Sequence, residues 1–193
     1  MGGTSQAKER RLREGFFRKY CQGEGVDIGG GHDPLHLENC AVYDKQQKFS
    51  DMTPEELSMG QWDYVYSSHC LEHVEDPKET FLNWWDLVKY GGYLILYLPH
   101  MDIYEKSEEL PSKWNPSHKW YFSLRYGFFK KHVIPVFKLL KVIPDCECDL
   151  IYIKKCADGH TIDDPTKPSD PEFSIEIVIR KIKHPGWKNY NAK

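Results

Sequence analysis

Two groups of residues in this chain have types and spacings that can do chemistry. The first is Val26-Asp27-Ile28-Gly29-Gly30-Gly31-His32-Asp33-Pro34, a short apolar run that carries an acidic residue into three glycines. Glycine lets the chain turn sharply and lets a ligand touch the backbone, so the segment predicts the first strand and binding loop of a nucleotide-type α/β fold. The second is a set of histidines: His69 and His73 in His69-Cys70-Leu71-Glu72-His73, then His100 and His118. Imidazole exchanges its proton near neutral pH, which suits it to general-base work.

His69-Cys70-Leu71-Glu72-His73 also fits H-x-x-E-H, in which two histidines hold zinc and the glutamate activates water. That site needs a helix already running at the first histidine, whereas an apolar strand precedes His69. The preferred reading has Leu71 and His73 packing the start of a helix and His69 facing the ligand pocket. Cys146, Cys148, Cys156 and His160 supply four metal donors on paper, but their gaps match no common framework. No metal is assigned, and the six cysteines read as reduced structural thiols.

The elements that must position these residues are legible. An amphipathic helix is expected over 6–20, with Leu12, Phe16 and Tyr20 on one face, and residues 1–22 are expected to lean on the domain as a flap. Strands follow at 25–28 and 41–44. So few residues lie between Gly31, Ala41, Asp44 and Asp51 that the first helices must be shortened. Trp62-Asp63-Tyr64-Val65-Tyr66-Ser67-Ser68 reads as a strand that puts Ser67, Ser68 and His69 at the ligand-bearing edge. Asp76, Pro77 and Glu79 then open a helix, with Phe81, Trp84, Trp85 and Val88 as its apolar stripe and Gly91-Gly92 as its end. Residues 93–98 predict a strand buried on both faces. Residues 100–122, rich in Tyr, Trp, His and Pro, predict a substrate loop. Ser123 is expected to cap a helix over 124–132, and 149–153 with 173–179 to form a terminal antiparallel pair.

A chain of 193 residues with 40% apolar content suffices for one domain with a full core. The net charge of −3 argues against a dedicated nucleic-acid binder, despite the basic run from Lys8 to Lys19. No stretch approaches the roughly 20 apolar residues of a membrane span, and the polar start Met1-Gly2-Gly3-Thr4-Ser5-Gln6 lacks a signal-peptide core. A cytoplasmic location is expected.

A dinucleotide fold wants G-x-G-x-x-G, because the pyrophosphate must approach the backbone and the following helix must pack closely. Here Pro34 stands in place of the third glycine, and a ligand without a diphosphate does not need that glycine. With Asp27 to Gly31 matching D-I-G-x-G, the chain resembles the class I S-adenosylmethionine-dependent methyltransferases over roughly residues 20–180. Asp63 to Val74, containing Leu71-Glu72-His73, resembles a later motif of that family, and Val88 to Leu94 resembles its L-K-P-G-G-x-L turn, with Tyr90 in place of proline.

The resemblance implies an α/β Rossmann-like sheet, mostly parallel, with a C-terminal antiparallel pair. It implies S-adenosylmethionine as cofactor, held by Asp27, Gly29, Gly30, Gly31, Ser68 and His69. Asp44 would accept from the ribose hydroxyls, and Asp51 with Met52 would contact the adenine. Methyl transfer is an in-line displacement that requires alignment and, for a hydroxyl acceptor, removal of a proton. The family's placement of an acceptor-side histidine favours His118 as that base, with His100 second. The expected activity is O-methylation of a small polar acceptor, a sugar or glycan precursor first. The alternatives are a non-catalytic cofactor- or partner-binding relative and an NAD(P)-dependent oxidoreductase, which the missing third glycine disfavours.

Overall fold

The structure is a computed structural model describing residues 2–59, 61–125, 130–144, 147–161, 164, 166, 167 and 170–182. Its centre is a six-stranded sheet built from β1 (Gly25–Ile28), β2 (Cys40–Tyr43), β3 (Trp62–Ser68), β4 (Val88–Pro99), β7 (Cys148–Cys156) and β8 (Ser174–Lys181). The order is β2-β1-β3-β4-β8-β7. The first four strands run parallel, and β8 is antiparallel to both β4 and β7. This is the expected sheet with its antiparallel pair.

Burial follows from the apolar runs. All of β1 is buried, as are Leu94 to Pro99 of β4 and Ser174 to Val178 in β8, because strands in the middle of a covered sheet have no solvent face. On one side Val65, Leu94 and Ile177 join Phe81, Trp84 and Trp85 of α3 (Pro77–Asp86) in the main core. The start of α3 is fixed as the sequence predicts: Asp76 Oδ1 accepts from the Lys78 and Glu79 N–H groups, with Pro77 next to it. Among the described residues, no helix joins β1 to β2, and a single 3₁₀ turn at Gln47–Phe49 joins β2 towards β3.

Several boundaries differ from expectation. The helix expected over 6–20 is two, α1 (Gly3–Arg13) and α2 (Phe16–Tyr20), parted at Gly15, whose φ of 65° lies in the left-handed region. The buried face of α1 is mostly polar: Thr4, Arg10 and Arg11 point inward beside Ala7, while Leu12 is 53% exposed. The helix expected to stop at Gly91-Gly92 stops at Asp86, and the two glycines lie inside β4, where Val88 already pairs with Trp62. Gly92 is needed there, since a Cβ would meet the Asp63 carbonyl oxygen at 2.5 Å.

The end of the 100–122 segment is β5 (Tyr121–Ser123), paired with β6 (Val133–Pro135) and followed by α4 (Val136–Leu140). Of the helix expected over 124–132, residues 126–129 lie outside the described residues, and the described ones are not helical. Cys146 also lies outside them. No helix among the described residues is long and apolar enough to cross a membrane.

Candidate active site

β1 lies between β2 and β3, so its carboxyl end opens at the point where the strand order reverses, which is where open α/β sheets bind ligands. The glycine loop begins there. Gly29 has φ of 76° and Gly31 has φ of 51°. A Cβ on Gly29 would stand 2.3 Å from Cys70 Sγ, and one on Gly30 would stand 2.8 Å from Val42 Cγ1. The loop is held from both sides by carboxylates. Asp27 Oδ2 accepts from the Leu35 N–H at 2.6 Å, and Asp44 Oδ2 accepts from the Gly31 N–H at 3.0 Å. Burial pushes the Asp27 carboxyl up to about 7, outweighing the hydrogen bond from Leu35.

Beside the loop runs an open groove of about 640 Å³, lined by Gly29, Asp44, His69, Cys70, His73 and Lys119 among others. Its size is that of a small-molecule site. Two of its lining residues, His69 and His73, converge with the buried Glu72 and His118. His69 Nδ1, His73 Nε2 and His118 Nε2 each stand 3.8 Å from Glu72 Oε1. Glu72 has no exposed surface, and neither of its carboxylate oxygens has a hydrogen-bond partner among the described residues. Burial raises its pKa to about 7, against the pull of His118.

Local structure explains the convergence. His69, at the end of β3, adopts φ of 49°, which turns the chain into a 3₁₀ turn at Leu71–His73. The Lys119 and Trp120 N–H groups donate to the Glu72 carbonyl at 2.8 and 3.2 Å, and Trp120 Nε1 donates to the Val74 carbonyl. Those bonds bring the end of the 100–122 segment, and His118 with it, over the turn. His118 is buried, and its Nδ1 pairs with Glu105 Oε1 at 2.5 Å. Burial, reinforced by His118 and His73, keeps His69 neutral, its pKa pushed down to about 3.

Residues 11–139 match the family model of the methyltransferase domain. The chain belongs to that family. It is an S-adenosylmethionine-dependent methyltransferase. Comparison with the curated proteins gives no match. Among solved structures it is similar to an S-adenosylmethionine-dependent methyltransferase of Archaeoglobus fulgidus, with 18% identity, 93% of this chain and 95% of that one covered, and a TM-score of 0.54. It is also similar to a chain from the complex of the Haloferax volcanii Trm112 methyltransferase activator with a methyltransferase, with 13% identity, 94% of each chain covered and a TM-score of 0.52. At those identities the likeness is one of fold.

The methyltransferase cofactor fits this site by two observations. The glycine loop packs so closely on Cys70 and Val42 that a Cβ at Gly29 or Gly30 would collide with them, and Gly29 offers bare backbone to the groove, while the buried Asp27 Oδ1 beneath it has no partner among the described residues. Asp44 lines the groove with its carboxylate, as the sequence implies for a ribose contact, although its Oδ1 already accepts from the Gln46 N–H at 2.7 Å. Asp51 is spent differently. Its Oδ2 accepts from the Val42 N–H at 2.9 Å and its own N–H donates to the Val42 carbonyl, so it pairs with the outer edge of β2. Met52 packs against the main core. Ser68 Oγ is buried, with no partner among the described residues.

The two histidines proposed as bases separate. His118 stands against Glu72 beside two histidines that line the groove, His69 and His73, whereas His100 is buried in other contacts, its Nδ1 accepting from the Asp102 N–H and its backbone N–H bonded to the Phe173 carbonyl. Burial lowers the His100 pKa to about 4. Sequence reasoning missed Glu105, which orients His118, and the part played by Glu72. The signal for Glu72 was present in the H-x-x-E-H spacing. Nothing in the spacing signalled Glu105.

Proposed function

We propose that this methyltransferase acts on the oxygen of a small polar acceptor in the cytoplasm, with a sugar or glycan precursor the first class to try. When bound, S-adenosylmethionine supplies an electrophilic methyl group on its sulfonium. Gly29, Gly30 and Gly31 would take its backbone-facing side, Asp44 its ribose hydroxyls, and His69 and Ser68 the end nearest β3. The observation that carries the acceptor reading is the approach of the buried His118 to Glu72, the carboxylate that His69 and His73 of the groove also face. A hydroxyl acceptor must lose a proton, and this cluster is where basic nitrogens and a buried carboxylate stand together. Tyr104, whose ring centroid is 5.5 Å from that of His118 and 4.6 Å from that of Phe173, offers an aromatic wall of the kind that packs on a sugar face.

The experiment is a release assay for S-adenosylhomocysteine against matched acceptors: polyols and sugars, their deoxy analogues, and amines of similar size. Turnover should follow the hydroxyl compounds and disappear in the deoxy analogues. Turnover confined to amines would reject oxygen as the acceptor atom.

A further inference from the structure

We propose that Glu72, His73 and His118 form a binding site for a first-row divalent cation, with His69 at its edge. One donor atom from each of the three lies within 4.8 Å of the others. The three imidazole nitrogens that face Glu72 Oε1 all stop 3.8 Å short of it. That is too long for hydrogen bonds. It is close to the spacing of ligands that share an ion, since bonds of ~2.1 Å at tetrahedral angles put neighbouring donors about 3.4 Å apart. The donors converge on a point without bonding one another.

The far nitrogen of every ring is held. His118 Nδ1 pairs with Glu105 Oε1, His73 Nδ1 stands 3.2 Å from the Ser117 carbonyl oxygen and 3.1 Å from Ser117 Oγ, and His69 Nε2 lies 2.8 Å from Ser174 Oγ. Metal-bound histidines are fixed in this way, one nitrogen on an outer partner and the other on the ion. A histidine cluster serving packing alone would turn an N–H onto the buried carboxylate, and none does.

Glu72 supplies the independent observation. A carboxylate with no exposed surface and both oxygens unpartnered among the described residues is costly, and a cation at the convergence point supplies the missing charge. Imidazole with one carboxylate selects zinc, iron or nickel over calcium, magnesium or manganese. His69 and His73 also line the groove, so coordination positions not filled by protein open towards it. Resting on the oxygen-acceptor reading, those positions take the acceptor oxygen and narrow the substrate class to compounds that chelate through adjacent oxygens. A cation held there would acidify the hydroxyl, and His118, which the acceptor reading places at the proton-taking cluster, would act through the ion as its ligand.

The test uses untagged full-length protein stripped with EDTA and titrated with Co²⁺, read by the visible bands of the bound ion and by calorimetry, with Zn²⁺ as competitor. Wild type should take up one Co²⁺ and release it to Zn²⁺. Glu105→Gln should weaken binding by about 10- to 100-fold, as outer partners do, and Glu72→Gln and His118→Ala by more. His36→Ala removes an exposed histidine outside the cluster and should change nothing. Should Glu72→Gln not fold, His73→Ala at a partly exposed position replaces it. Absence of saturable Co²⁺ binding by wild type, or wild-type binding by the folded cluster variants, overturns the site. Cation uptake is read without any acceptor, so turnover confined to amines would leave it standing. O-methylation insensitive to EDTA by a protein that takes up no Co²⁺ would overturn the cation alone.

Discussion

Arg11 and Glu176 form a fully buried ion pair: the Arg11 Nε–H donates to Glu176 Oε2 at 2.7 Å, and neither side chain has exposed surface. Arg11 also donates from Nη1 to the Tyr66 hydroxyl at 2.7 Å, and Arg10 bonds both Glu172 and Glu176. The pair therefore ties α1 to β8 and β3 at once. From that anchor the start of α1 reaches the site, where Gly3 packs against His69 and the Ser5 N–H donates to Asp33 Oδ2 at 2.9 Å. In the N-terminal segment expected to lean on the domain, α1 is held by charge, while Phe16 and Tyr20 of α2 pack on the apolar cluster of Tyr64, Tyr66 and Ile95.

Arg11→Ala should destabilise the protein by about 3–5 kcal/mol, the range for removing one partner of a buried pair and stranding the other. Urea unfolding reads this as a lower midpoint at unchanged slope. Arg11→Lys should rescue little, because one ammonium cannot reproduce the planar fork that serves Glu176 and Tyr66 together. A lysine variant as stable as wild type would show that charge alone suffices.

The Asp27 carboxyl makes stability depend on pH in the direction opposite to a salt-bridged acid. Its pKa is about 7 in the fold, raised chiefly by burial, against about 3.9 when unfolded. Between those values the native state holds a proton that the unfolded chain has released. The contribution is complete below pH ~4 and is lost as pH rises through about 7. Urea midpoints of wild type should fall from pH 4 to 7 relative to those of Asp27→Asn, which does not titrate. Parallel curves for the two proteins would place the ionised form in the fold throughout.

Which parts of this architecture were legible depends on the range of the interaction that fixes them. β1, β3, β4 and β8 read directly as apolar runs, and the Asp76 cap with Pro77 is a local signal. The turn of α1 was misread because its buried residues, Arg10 and Arg11, are charged, and their partners Glu172 and Glu176 lie more than 150 residues away, where periodicity carries no information. Gly91-Gly92 looked like a helix end because glycine marks chain breaks, yet its use here is close approach to the Asp63 carbonyl inside the sheet. At the site, the glycine loop and Asp44 were visible in local spacing. The meeting of Glu72 with His118 and Glu105 depends on the bonds from the Lys119 and Trp120 N–H groups to the Glu72 carbonyl, which no spacing records.

Gly29→Ala tests the loop. The substitution demands φ of 76° from an L residue and places a Cβ 2.3 Å from Cys70 Sγ, so it should cost about 1–3 kcal/mol of stability and more than tenfold in cofactor affinity. Calorimetry with S-adenosylhomocysteine on the folded protein reads the second effect. Removing the sulfur as well, in Gly29→Ala with Cys70→Ala, should recover part of the stability but not all, since the backbone strain remains. Unchanged affinity in the single variant would mean that the cofactor does not approach this backbone.

Asp44 and Asp51 were both expected to hold the cofactor, and the structure separates them. Asp44 stands at the end of β2 with its carboxylate in the groove, so two ribose hydroxyls have two oxygens to donate to. Asp51 has its Oδ2 on the Val42 N–H and is exposed on the outer edge of β2, where it substitutes for a neighbouring strand. Asp44→Ala should therefore weaken S-adenosylhomocysteine by about 10- to 100-fold, the equivalent of the ~1.5–3 kcal/mol of hydrogen bonds to a charged group. Its Tm should fall less, because the Gly31 and Gln46 N–H groups that it frees lie where water can reach them. Asp51→Ala should show the reverse pattern, a lower Tm through loss of the β2 edge bond and an affinity close to wild type. Paired calorimetry and thermal unfolding on the two variants decide between them. If Asp51→Ala lost affinity as steeply as Asp44→Ala while keeping its Tm, the carboxylate would have to leave Val42 when the adenine arrives, and the division of labour between the two aspartates would fail.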